Sequence, residues 1–161
     1  MEDPQEHGVK QEDDGYIRIF GKWTAELHGP DGELKQRVVG SNVVCTNGKE
    51  FLASFLNSAA AAAATFTMKY IAIGTDATAE AAANTALGTE SARHTGIVSY
   101  VSNQIIQVKA TFASGLGTGA IVEYGIFSSS SAGTMLCRDT ESVITKNAND
   151  TLTVTAQITI S

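Results

Sequence analysis

The chain has 161 residues, 43% of them hydrophobic, and a formal net charge of -6, a length that suits one domain with a single core. The charge is uneven: residues 1 to 14, MEDPQEHGVKQEDD, hold six acids and one lysine, which leaves 11 acids against 10 bases in the remainder. That near-neutral body offers no basic face to a phosphate backbone, so no nucleic-acid partner is expected.

Taken in chain order, residues 1–15 form an acidic arm with Pro4 and no hydrophobic periodicity. Alone, such a segment is expected to be disordered and to order only against a partner. Its candidate docking contacts are Glu2, Asp3, Glu6, Glu12, Asp13 and Asp14. The N-terminus lacks an apolar signal-peptide core, and no run of 18 apolar residues occurs. Neither secretion nor a membrane partner is therefore expected, and folding in a cytoplasm is.

From Tyr16 the pattern changes. Ile17, Ile19, Trp23, Ala25 and Leu27 share one parity, and Arg18, Lys22, Thr24, Glu26 and His28 the other, which reads as a half-buried strand. GPDG at 29–32 is a turn, and ELKQRVVGSNVVC is its expected return strand. TNGKEFLASFL carries a helix signal: Asn47 as cap, Glu50 three residues on, and Phe51, Leu52, Phe55 and Leu56 on one face. The six alanines at 59–64 read equally as helix extension or small-residue linker.

MKYIAIG is a strand that opens into a long run of small and polar residues ending in ESARH. There Glu90 and Arg93 lie three apart, a spacing at which one helical turn would pair them, and a buried pair could fix register at a subunit contact. GIVSYVSNQIIQVKATFA reads as two strands about Ser102-Asn103, and GAIVEYGIF and TMLCRDTESVI as two more about SSSSAG. TLTVTAQITIS alternates without a break: Leu152, Val154, Ala156, Ile158 and Ile160 form a core face, and a hydroxyl face includes Thr151, Thr153 and Thr155. These three threonines are further candidate subunit contacts. The expected fold is mainly β, an antiparallel β-sandwich over 16–161 with one short helix and the acidic arm, a barrel being the second choice.

No catalytic, cofactor or metal site is nominated. His7, His28 and His94 have no cysteine or second histidine at ligand spacing, and HExxH, CxxC and GxSxG are absent. A triad assembled across the sequence would show as a histidine within hydrogen-bond reach of a Ser or Cys and an acid. GLGTGA at 115–120 meets the loose dinucleotide pattern but precedes a β-like segment, so it reads as a flexible hairpin. Cys45 and Cys137 are expected as buried reduced thiols.

The segments SNVVCTNGKEFLASFL, KYIAIGTDATAEAAANTALGTESAR, GAIVEYGIFSSSSAGTMLCR and ITKNANDTLTVTAQITI, in this order, resemble a group of small bacteriophage virion proteins. The resemblance covers roughly residues 16 to 161. It implies a non-enzymatic structural subunit of the tail, fibre or collar, with capsid decoration second. Its partners would be itself, as a homotrimer, and other virion proteins. It matches Asn42, Asn47, Gly48, Gly74, Thr75, Glu90, Arg93, Glu123, Gly125, Phe127 and Asp150 to Thr155 as scaffold positions. The chain departs from the pattern in its adjacent Asn47-Gly48 and its acidic arm. A rival reading is a receptor- or carbohydrate-binding sandwich that uses exposed Tyr100 or Tyr124.

Overall fold

In the computed structural model, which describes residues 17–55, 68–102 and 104–161, the alternating segments become ten strands and one helix. The acidic arm, with its six candidate contacts, and the alanine run at 59–64 lie outside the described residues. The strands are β1 (Ile19–His28), β2 (Leu34–Ser41), β3 (Val43–Val44), β4 (Tyr70–Gly74), β5 (Glu90–Thr95), β6 (Ile97–Ser102), β7 (Ile105–Phe112), β8 (Gly119–Phe127), β9 (Met135–Lys146) and β10 (Thr151–Ile160), and the helix is α1 (Thr46–Phe55).

They form two antiparallel five-stranded sheets, ordered β2-β1-β10-β7-β6 and β3-β9-β8-β4-β5. The protein is a mainly β sandwich, and among the described residues no strand pairing joins the sheets into a barrel. β10 is central, in register with β1 from Leu27↔Leu152 to Ile19↔Ile160 and with β7 from Phe112 to Ile105. Its two parities separate as the alternation requires: Leu152, Val154 and Ala156 are fully buried, while Thr151, Thr153 and Thr155 face outward. At the strand's end Ile160 escapes the core and is 41% exposed. Trp23, Ala25 and Leu27 of β1 join the same core, against Ile71, Ile73 and Ile126 of the second sheet.

Three expectations change. ELKQRVVGSNVVC is not one return strand: β2 pairs with β1, whereas β3 pairs with β9 in the other sheet. The chain crosses between sheets at Asn42, whose N–H still reaches the Gly21 carbonyl at 3.4 Å. Nor does Asn47 cap the helix. Lys49 N–H bonds the Cys45 carbonyl at 3.1 Å, and the Cys45 N–H is held by the Leu136 carbonyl at 2.9 Å, so the β3–β9 pairing delivers the chain directly into the first turn. Leu52 packs on the core as expected, and the side chain of Phe55 and Leu56 lie outside the described residues.

GLGTGA is the third change. It links β7 in the first sheet to β8 in the second, an arch rather than a hairpin. Gly115, Gly117 and Gly119 all take positive φ, of 81°, 64° and 134°, a conformation that a Cβ disfavours. Cys45 and Cys137 are buried free thiols. No helix among the described residues is long and apolar enough to cross a membrane.

Candidate functional site

The long connection at 75–89 lies over the outer face of the second sheet. On that face β8 and β9 place Glu123, fully buried, beside Arg138, 2% exposed. Arg138 Nε and Nη2 donate to Glu123 Oε2 at 3.0 and 2.8 Å. The same carboxylate takes three backbone N–H groups from the two ends of the connection: Asp76 at 3.1 Å and Thr89 at 2.8 Å on Oε1, and Gly88 at 2.9 Å on Oε2. Five donors thus satisfy a charge whose burial is otherwise costly. Arg138 also reaches the Asp76 and Asn84 oxygens at 3.4 Å.

Around this clasp the connection packs as a roof. Leu87 joins Ala72, Phe127, Met135 and Cys45 in a second apolar cluster outside the main core. Gly125 makes room for it: a Cβ there would lie 3.0 Å from both Leu87 Cδ2 and Phe127 Cε2. The Ala82 carbonyl accepts from Thr46 N–H at 2.8 Å, and the Thr78 carbonyl from Thr140 Oγ1 at 3.3 Å. Asp76 folds the near end by accepting the Thr78 N–H and hydroxyl at 3.0 and 2.8 Å, and these two bonds, the N–H foremost, hold its carboxyl below the usual range.

Glu90 and Arg93 pair, but on a strand instead of a helical turn. Ile73 faces Ala92 while Gly74 faces Glu90, so Ser91 is an extra residue in β5. That bulge restores to one side two residues that a regular strand would place on opposite faces. Arg93 Nε and Nη2 donate to the Glu90 carboxylate at 3.0 and 2.6 Å, and Nη1 to the Ser129 and Ala132 carbonyls at 3.0 and 2.6 Å. Its guanidinium also stacks 3.5 Å above the Phe127 ring. The pair therefore binds the SSSSAG turn to β5 within one chain.

Thr151, Thr153 and Thr155 lie on the outer face of the first sheet, which nothing among the described residues covers. Their neighbours are polar: Thr153 Oγ1 meets Thr111 Oγ1 at 3.2 Å, Gln157 donates to Gln107 at 3.0 Å, and Arg37 meets Glu26 at 3.4 Å. At one end a cleft of about 540 Å³ lies between His28, Pro30, Ser114, Asn149 and Thr151. Among the described residues neither His28 nor His94 hydrogen-bonds a serine, cysteine or carboxylate; His94 Nδ1 faces the Thr95 carbonyl at 3.0 Å. Asp150, beside the cleft, accepts the Asn147 N–H at 2.9 Å and Lys35 Nζ at 3.0 Å, and these bonds, the N–H first, lower its pKa. No group of three His, Cys, Asp or Glu among the described residues is placed to hold a metal.

No family model matches the chain, and neither does any curated protein or solved structure.

Nothing in the sequence singles out Arg138 or Asp139. Arg138 ends the GTMLCR segment, where no neighbouring residue signals a buried partner. Asp139 is fully buried on the core side, and among the described residues both its oxygens, with Tyr124 OH and Trp23 Nε1, have no hydrogen-bond partner. Burial first, then the charges of Glu141 and Glu80, push the Asp139 carboxyl up to about 7. Tyr124 is 1% exposed, its ring 6.0 Å from Trp23, which removes it from the carbohydrate-stacking pair; Tyr100 is 83% exposed.

Proposed function

We propose that the chain is a non-enzymatic structural subunit of a bacteriophage virion, a tail, fibre or collar component that self-associates and docks on the particle. The observation carrying this reading is how the charged residues Glu90, Arg93 and Glu123 at the matched positions are used. Glu123, with Arg138, holds the roof, and Glu90 and Arg93 hold a turn, so each of these groups is spent on the scaffold. The open hydroxyl face of Thr151, Thr153 and Thr155 supports a contact role, since many weak contacts repeated around an assembly gain strength by avidity. The phage context and the trimeric state rest on the sequence resemblance, and docking through the arm rests on the charge concentrated in residues 1 to 14. Capsid decoration is the alternative placement.

Antibody raised against the purified protein should label particles released by cells that carry the gene, at the tail or collar. Deleting residues 1–14 should leave the melting temperature unchanged and abolish incorporation. Protein found only in the soluble fraction, with none on particles, would refute the reading. The exposed Tyr100 favours a second reading as a carbohydrate-binding module, for which glycan-array binding lost on Tyr100→Ala is the expected result.

A further inference from the structure

The geometry points to β6 as a docking edge for a second copy of this chain, the two β6 strands pairing antiparallel about a two-fold axis so that the first sheet continues from one subunit into the next. This rests on the self-association reading and replaces the trimer implied by the resemblance with an even assembly. All six residues of β6 are exposed, including Ile97 at 76%, Tyr100 at 83% and Val101 at 52%. β6 pairs with β7 on one side, and no described strand lies on the other.

Natural sheets protect such edges with charge, proline or cover, and IVSYVS has neither charge nor proline. The other edges differ. β2 carries Lys35 and Arg37, β5 carries Glu90, Arg93 and His94, and the two-residue β3 runs straight into α1. Moreover Val98 and Tyr100 stand opposite Val108 and Ile106. Val108 is 1% exposed and Val98 46%, so the second sheet stops short of β6 and leaves core-side apolar surface open.

An occupant must bring a free strand edge, apolar side chains on the core side and no charge to desolvate. β6 of a second copy has each of these. The body around β6 holds 11 acids against 10 bases, so the net repulsion between copies comes from the arms and not from the paired edge. Two-fold pairing uses the same patch on both partners and closes at two copies, so the assembly should contain an even number of chains.

Sedimentation velocity of the full-length protein over a dilution series tests this, with thermal melts of the wild type, Val98→Lys and Tyr100→Lys. The wild type should sediment as a dimer or a multiple of one. Each lysine should weaken the pairing about a hundredfold or more and leave the melting temperature in place. An even assembly indifferent to both lysines, or a wild-type trimer, overturns the β6 edge and leaves self-association standing. A wild type monomeric throughout overturns both. A lowered melting temperature with assembly intact would mean that the chain's own residues cover β6, and glycan binding by a monomer through Tyr100 would assign the edge to carbohydrate; either result overturns the pairing.

Discussion

On the first sheet the outward parity of β10 stays at the surface, where Thr151, Thr153 and Thr155 meet other hydroxyl, amide and charged side chains. On the second sheet the outward parity of β8 and β9 is buried: Glu123 and Arg138 lie under residues 75–89 with exposures of 0% and 2%. Both faces begin from an outward-pointing row, and a roof separates them. Small side chains in TDATAEAAANTALGT let the backbone approach, and that backbone supplies the N–H groups that make a buried carboxylate tolerable. A long polar connection therefore works here as a layer of the fold.

The comparison can be broken first at the core. Val154→Asp should abolish the cooperative unfolding transition, because an unpaired buried charge exceeds much of the ~5–15 kcal/mol that stabilises a domain; an unchanged melting temperature would show the strand faces to be reversed. Glu123→Ala strands Arg138 and frees both ends of the roof. It should cost about 3–5 kcal/mol in denaturant titration and speed amide exchange in residues 75–89, and slow exchange there would mean that apolar packing alone holds the roof. Arg93→Ala removes bonds to Glu90 and the SSSSAG turn and should cost about 2–3 kcal/mol, read as a lowered midpoint without loss of the fold.

Asp139→Asn should act through pH. With a folded value of about 7 against about 3.9 unfolded, the folded state binds the proton more tightly. This group's contribution to stability therefore falls as pH rises from about 4 to 7 and is flat above. Relative to the wild type, the variant should gain about 1–3 kcal/mol at pH 8 and lose that advantage toward pH 5; a constant difference across the range would place the titration elsewhere. The smallest effect belongs to the open face, where Thr153→Lys should stay within about 0.5 kcal/mol, and a larger loss would reveal a cover on that face.

Much of the fold was legible because alternation is local. β1 and β10 follow from side-chain parity, β4, β6, β7, β8 and β9 from strand-like apolar runs between turn residues, and the GPDG turn from its residue types. The site was less legible. Glu90 and Arg93 stood out by spacing, but their pairing depends on a bulge that only the β4 register creates. ESARHT, with no apolar alternation, carries no strand signal, and Arg138 and Asp139 lie in TMLCRDTESVI, a strand-like segment in which nothing marks either charge as buried.

The amino-acid sequence by itself determined the period-two strands, the turn chemistry, the charge-rich arm and a body without a basic face, because each depends on residues adjacent along the chain. Tertiary structure alone decided where the chain changes sheets, which outward row is roofed, that Cys45 leads into the helix, and that β6 overhangs its neighbour. Those outcomes depend on what a distant segment brings to the same place: the Leu136 carbonyl to Cys45, three loop N–H groups to Glu123. A local pattern specifies which way a side chain points, and only packing specifies what it meets.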